Sequence, residues 1–217
     1  MKLANATKLA CLDNFLREFG AADTVVFADG CSPETMRGVR ERAAPVMEIA
    51  GGSSAASWRV VASYALEKLA RSDAVYFVED DFLHRPGSAR VLSEGLEIAD
   101  YVTLYDHPDK YVAPEQGGNP LVRCGGERTR VLLTRSSHWK LTNSTTMTFA
   151  ARVATLHADM RVWWRFTRGT HPLDYHVFRH LTQRRIVNRR RLASPIPGYS
   201  THAETAWLAP LTDWTDV

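Results

Sequence analysis

The stretch 74-AVYFVEDDFLH-84 decides the fold class and the place where chemistry is expected. Residues 74–78 are all apolar or aromatic, and residues 79–81 are three consecutive acids. A short run without polar alternation is typical of a strand that is buried on both faces in an α/β sheet. Ligands of open α/β sheets bind beyond the carboxyl ends of the strands. The stretch therefore predicts an α/β protein with an acidic site at the sheet edge.

On both sides of this stretch, short apolar runs alternate with amphipathic helical patterns. The predicted elements are a helix from Thr7 to Gly20, strands at 24–28 and 46–50, helices after Ser32 and after the turn 51-GGSSAAS-57, a helix at 87–98 and a strand at 101–105. Buried strands separated by helices form parallel sheets through crossover connections. We therefore expect a mostly parallel, Rossmann-like central sheet flanked by helices.

The pattern changes after residue 105. Residues 106–128 are rich in Pro, Gly and charge and predict a long functional or mobile loop. β-structure then precedes helical segments near 152–166 and 172–183. We expect one domain over 1–217, with a front half at 1–105 and a more irregular back half at 106–217.

Composition excludes several classes of protein. The 217 residues include 27 basic and 24 acidic side chains, and a formal net charge of +3 does not favour nucleic-acid binding. Three cysteines without a CxxC pair suggest reduced thiols in the cytoplasm. No segment approaches the roughly 20 apolar residues of a membrane-spanning helix.

Three strand ends carry candidate ligand-binding residues: Asp29, the Gly52 and Ser53 turn, and the acids 79–81. Adjacent carboxylates repel one another, and they persist most readily where a divalent cation or ligand hydroxyls compensate them. The alternative is a solvated turn in which Asp81 caps a helix.

The motif VYFVEDDFLH resembles the glycosyltransferases of the GT-A fold, in which such a strand precedes an acidic DXD-type motif. The resemblance spans roughly residues 10–205, and the back half is similar to the acceptor half of small bacterial and viral members. The segments that carry this part are WKLTNSTTMTFAA at 139–151, THPLDYHVF at 170–178 and IPGYSTH at 196–202. The family's usual first strand has no counterpart in MKLANATK, so the resemblance implies a GT-A fold that lacks it.

The resemblance implies a donor site in residues 1–105 and a catalytic and acceptor site in residues 106–217. Asp29 would meet the nucleoside, and Glu79 and Asp80 would hold ribose or metal-bound water. Asp81 and His202 would bind Mn²⁺ or Mg²⁺. A cation that bridges two phosphates assists the departure of a diphosphate.

The resemblance also implies that Asp174 is the catalytic base. Its alternative is structural, because the helix dipole favours an acid in a first turn. The expected acceptor contacts are His138, Trp139 and His171, with Trp139 offering a flat surface for a sugar ring.

These assignments predict transfer of a sugar from a nucleoside diphosphate donor, UDP-linked by preference, to a hydroxyl on a glycan or lipid-linked acceptor. Inversion at the anomeric carbon is favoured because the sequence offers one candidate base and no carboxylate that is clearly placed as a nucleophile. The five arginines of 184-RRIVNRRR-191 form a solvated basic face or contact an anionic acceptor or membrane surface. Two alternatives stay open: a nucleotidyltransferase of related fold, and a non-catalytic nucleotide- or glycan-binding domain.

Overall fold

The computed structural model describes residues 1–43, 45–122, 126–183 and 189–217 and has an α/β fold, as the sequence predicts. The helices are α1 (Lys8–Phe19), α2 (Pro33–Arg40), α3 (Ser54–Lys68), α4 (Ser88–Ile98), α5 (Val153–Phe166) and α6 (Asp174–Thr182). The strands are β1 (Val26–Asp29), β2 (Val46–Ile49), β3 (Ala74–Phe77), β4 (Phe82–His84), β5 (Tyr101–Val102), β6 (Val131–Leu133), β7 (His138–Thr142), β8 (Phe149–Arg152), β9 (Leu192–Ile196) and β10 (Ser200–His202). None of the helices in the described ranges combines the length and apolarity needed to cross a bilayer.

The main sheet has six strands in the order β3-β8-β5-β9-β7-β6. It is mixed: β5 and β9 are parallel, and the other four neighbouring pairs are antiparallel. The expectation of a mostly parallel central sheet is therefore wrong. One reason is β8, which follows a long excursion of the chain and inserts antiparallel between β3 and β5. The other is β7, which pairs antiparallel with both β9 and β6.

Two small sheets accompany the main one. Strands β1 and β2 pair in parallel, with Val26 opposite Val46, and they form a sheet of their own. Strands β4 and β10 pair antiparallel, with Phe82 opposite His202. This second pairing places residues 82–84, directly after the acidic triplet, beside residues 200–202 near the C-terminus.

Local capping explains where the first three helices begin: α1 and α2 begin at the predicted caps, and α3 begins at Ser54, inside the stretch 51–57 that the sequence predicts as a turn. The side chains of Thr7, Ser32 and Ser53 each accept a hydrogen bond from a backbone N–H in the first turn. Gly20 ends α1 with a φ of +83°, a conformation that glycine adopts without strain.

The core is aromatic where α3, α5 and α6 meet the main sheet. The rings of Phe149 on β8 and Trp163 on α5 stack with centroids 4.7 Å apart. Trp58 on α3 and Phe178 on α6 pack against Trp163 from two other directions. The helices therefore cover the strand that interrupts the parallel pattern.

The sequence does not predict β4, β7, β9 or β10 as strands. Strand β9 has the sequence LASPI, and its serine and proline break the apolar pattern although its first four residues are buried. Hydrogen bonding to β7 and β5, and not the local sequence pattern, therefore makes these residues a strand.

Candidate functional site

The acidic turn that follows β3 meets a histidine and a lysine from distant parts of the chain. The Oδ2 atom of Asp81 lies 3.1 Å from His202 Nε2 and 2.8 Å from Lys2 Nζ. Asp81 and His202, which the resemblance assigns to one metal site, thus lie in contact. The contact with Lys2 is additional, and sequence reasoning does not predict it.

Backbone pairing holds all three side chains in place. Ala203 donates its N–H to the carbonyl of Asp81 at 2.8 Å, directly after the β4–β10 pairing. Leu3 donates to the carbonyl of Ala203 at 2.9 Å, and Lys2 forms an isolated bridge with Glu204. The N-terminal segment is therefore fixed beside the acidic turn.

The charges of this cluster reinforce one another. Burial raises the pKa of Asp81, but hydrogen bonds from His202 and Lys2 outweigh it and lower that pKa to about 2. The hydrogen bond to Asp81 raises the pKa of His202, and the same partner raises the pKa of Lys2. Asp81 is therefore ionised at neutral pH, and an ammonium and an imidazole contact one of its oxygens.

The other two acids of the turn have different surroundings. Asp80 is exposed and pairs with Lys8. Desolvation of the carboxyl, followed by the nearby charges of Asp81 and Asp174, raises the pKa of Glu79. Glu79 as a residue is nevertheless exposed, so solvent screens part of this effect. Glu79 is therefore the acid of the turn that most readily binds a proton.

The structure brings Asp174 into the same electrostatic neighbourhood. Asp174 begins α6 and accepts a hydrogen bond from the N–H of Tyr175 at 2.6 Å. Burial raises the pKa of Asp174, and its charge acts on Glu79. A partly buried carboxylate with a raised pKa is the usual state of a general base.

Sequence analysis does not identify three charged or titratable residues near Asp174. His107 and Lys110 lie close enough to favour its ionised form, and both contact Asp109, with distances of 3.0 Å from His107 Nδ1 and 3.1 Å from Lys110 Nζ to Oδ1. They follow the strand predicted at 101–105. Applying the strand-end rule to this fourth strand would have identified them.

A second charged cluster anchors the loop that carries these residues. Lys140 Nζ, almost fully buried, lies 2.8 Å from Asp106 Oδ1 and 3.3 Å from Glu127 Oε2. Tyr111 donates its hydroxyl to Asp106 at 2.7 Å. Buried charges hold this part of 106–128 against the main sheet, where the sequence suggests only a functional or mobile loop.

The predicted donor residues of the front half form a compact local structure. Asp29 accepts hydrogen bonds from the Gly51 N–H at 3.1 Å and from the Ser57 hydroxyl at 2.5 Å. Ser53 caps α3, and Gly52 has a φ of +69° that favours glycine. The carboxylate of Asp29 is therefore already bonded within the turn.

The segment between α5 and α6 links this turn to the acidic site. Ser54 Oγ lies 3.3 Å from both the carbonyl of Thr170 and the Nδ1 atom of His171, and Asp174 follows three residues later. His171 thus contacts the start of α3 rather than the acidic turn. In the described ranges, no hydrogen bond or ion pair joins Asp29, Gly52 or Ser53 directly to Glu79–Asp81.

Two predicted acceptor residues lie elsewhere. Trp139 is completely buried, and its ring packs on Gly95 of α4, so it belongs to the core and is not available to stack on a sugar. His138 is exposed on β7. Since β7 lies four strand spacings from β3, His138 is about 19 Å from the acidic edge by sheet geometry.

The arginine run at 184–191 is only partly a free basic face. Arg190 pairs with Asp159 at 2.8 Å and with Asp100 at 3.2 Å. Arg189 donates to the carbonyl of Thr182, while Arg191 is exposed. The part from 184 to 188 lies outside the described residues.

The spacing of Asp81 and His202 matches that of two neighbouring ligands of a divalent cation. Two ligands of an octahedral ion at about 2.1 Å, in neighbouring positions, are about 3.0 Å apart, close to the Oδ2–Nε2 distance of 3.1 Å. The described ranges contain no group of three or more His, Cys, Asp or Glu side chains arranged around a metal position. Mg²⁺ and Mn²⁺ take mainly oxygen ligands, and Mg²⁺ commonly binds through one or two carboxylates together with waters and substrate phosphates.

The comparisons with known proteins give no relative. No protein-family model matches the chain, and no curated protein matches it either. The function must therefore be argued from the site itself.

Proposed function

We propose that this protein is a glycosyltransferase, which moves a sugar from a nucleoside diphosphate to an acceptor hydroxyl. The observation that carries this proposal is the contact between an ionised acid and an imidazole, with a partly buried carboxylate in the same electrostatic neighbourhood. The ionised acid is Asp81, the imidazole is His202 and the partly buried carboxylate is Asp174. Departure of a diphosphate needs positive charge, and attack by a hydroxyl needs a base.

Lys2 supplies positive charge beside the acidic turn at the edge of the main sheet, and His202 contacts the same Asp81 oxygen. Asp81 and His202 would hold Mn²⁺ or Mg²⁺, which when bound neutralises charge on the two phosphates. Asp81 orients the imidazole through their 3.1 Å contact. The Lys2 ammonium would hold the diphosphate while the bond to the sugar breaks.

Asp174 would accept the proton of the acceptor hydroxyl as that oxygen attacks the anomeric carbon. Its raised pKa makes it a stronger base than an exposed aspartate. Inversion follows from direct displacement with one base. UDP is the preferred nucleotide, and the acceptor would be a glycan or a lipid-linked sugar.

The test measures release of UDP from a UDP-sugar panel with an acceptor and Mn²⁺. We expect Asp174→Asn to lower turnover by about 10²- to 10⁴-fold while UDP affinity stays unchanged. Asp23→Asn, a change at an exposed aspartate, is the matched control and keeps full turnover. Equal turnover in both variants removes Asp174 from the mechanism.

Product identity separates sugar transfer from nucleotidyl transfer. A nucleoside diphosphate product supports the proposal, and pyrophosphate supports a nucleotidyltransferase. In addition, Asp81→Ala should abolish the stimulation by Mn²⁺, and an unchanged metal response would refute the metal assignment.

A non-catalytic nucleotide- or glycan-binding domain is the second candidate. Lys2 and Lys8 already neutralise Asp81 and Asp80, and Asp29 is bonded within its own turn. Calorimetry decides between the two. If the affinity for a nucleotide or a sugar is unchanged when metal is removed, and no donor is turned over, the result favours the binding domain.

A further inference from the structure

The charges of the chain are strongly segregated. Residues 151–191 contain ten arginines, no lysine and only two acids, Asp159 and Asp174. The rest of the chain is left with 17 basic and 22 acidic residues, and so it is net acidic although the whole protein carries +3. The segment 151–191 therefore accounts for the net positive charge of the molecule.

Neither acid of this segment offsets its exposed arginines. Asp159 is buried and pairs with Arg190, and it also accepts from the Tyr101 hydroxyl. Asp174 lies in the site described above. In the described part of the segment no acid is exposed.

The outer face of α5 presents its basic residues in one row. His157, Arg161, Arg165 and Arg168 are exposed and follow one another at intervals of four, four and three residues. This spacing places them on one side of a helix and its immediate extension. The opposite side of α5 carries Trp163 and the other core residues.

The outer face of α6 continues this row. His176, Arg179, His180 and Gln183 repeat at helical spacing, and with Phe166 they line a cavity of about 340 Å³. The Phe166 ring stacks on His176 with centroids 6.0 Å apart, and the Arg165 guanidinium lies 5.4 Å from the Phe166 centroid. We call the exposed faces of α5 and α6, with Arg168, the arginine surface.

We propose that the arginine surface docks the protein on an anionic phospholipid membrane. Guanidinium groups bind phosphates in a bidentate manner and lose less hydration than ammonium groups. Leu173, 49% exposed between the two helices, adds an apolar contact of the kind that interfacial binding uses. Among the described residues these helices expose no large aromatic side chain, whereas single-stranded nucleic acids need aromatic stacking platforms.

The test is co-sedimentation of the protein with vesicles, which requires no donor and no turnover. Wild type is expected to bind vesicles of phosphatidylcholine with phosphatidylglycerol and not to bind vesicles of pure phosphatidylcholine. The bound protein should dissociate at high salt. The variant Arg161→Gln/Arg165→Gln/Arg168→Gln should bind on the order of 100-fold more weakly, at about fivefold for each arginine.

The matched control is Arg17→Gln/Arg37→Gln/Arg135→Gln, which removes the same charge from exposed positions outside the arginine surface. It should keep vesicle binding within a few-fold of wild type. Equal loss in both triple variants, or no binding of wild type to anionic vesicles, overturns the proposal. Tighter arginine-dependent binding to a duplex oligonucleotide than to vesicles overturns it in favour of nucleic acid. Because all six positions are exposed, matching thermal unfolding of both variants is expected.

Discussion

Lys2 and His202 share one oxygen of Asp81: the Lys2 ammonium lies 2.8 Å from Oδ2, and the His202 imidazole lies 3.1 Å from the same atom. An ammonium on that oxygen competes with any divalent cation that Asp81 would bind. The acidic turn thus carries its own counter-ion.

We therefore expect Lys2→Met to tighten Mn²⁺ binding. The gain should be modest, about two- to fivefold, because the Lys2 side chain is about half exposed and such pairs contribute little. Titration of Mn²⁺ followed by electron paramagnetic resonance measures it directly. Lys68→Met, at an exposed lysine of α3, is the control, and identical affinities in the two variants would show that Lys2 does not compete with the ion.

The sequence predicts what depends on neighbours along the chain. The predicted caps Thr7 and Ser32 need only a backbone N–H three residues away, and the structure confirms the helices they begin. The acidic turn follows in the same way from the apolar strand directly before it. These features are local, and local patterns specify them.

What the sequence could not predict depends on pairing between distant segments. Lys2 reaches Asp81 across 79 positions through a backbone pairing with the segment after β10. The mixed sheet has the same origin, since nothing within FAAR at 149–152 indicates that β8 runs antiparallel between β3 and β5. Trp139 is similar, because an aromatic residue suits a ligand pocket and a core equally well.

The buried position of Trp139 makes a prediction for Gly95. A Cβ atom at Gly95 would lie 2.6 Å from the Trp139 ring and 2.8 Å from Val102 Cγ1, so Gly95→Ala should destabilise the fold by about 1–3 kcal/mol. This outcome opposes the usual helix preference for alanine. Urea unfolding measures it against Gly126→Ala, where no atom lies within 4 Å of the added carbon. An unchanged midpoint for Gly95→Ala would contradict this packing.

The buried charge cluster at Lys140 should be essential for the loop beside Asp174. Lys140→Met leaves Asp106 and Glu127 buried without their cation, which should cost about 3–5 kcal/mol. Lys140→Met/Asp106→Asn should recover part of this loss because the uncompensated charge is smaller. Denaturant unfolding of both variants is the measurement. A double variant as unstable as the single one would mean that packing, and not charge, anchors the loop.

His84 should make the fold sensitive to mild acid. It is fully buried, its Nε2 lies 2.9 Å from the Tyr76 hydroxyl, and burial lowers its pKa from 6.5 to about 3. A histidine with a lowered folded-state pKa binds its proton first in the unfolded chain. Its contribution to stability is therefore complete above pH 6.5 and is lost as the pH falls toward 3, at about 1.4 kcal/mol per pH unit.

Comparison with His84→Gln isolates this effect from the carboxylates that titrate in the same range. The variant should be less stable than wild type at neutral pH, since it disturbs the contact with Tyr76, and the difference should shrink by about 1.4 kcal/mol for each unit below pH 6.5. Urea unfolding at one-unit steps of pH measures the two curves. His138→Gln, at an exposed histidine, should run parallel to wild type. If His84→Gln runs parallel as well, the imidazole of His84 is already protonated in the folded protein or reaches solvent.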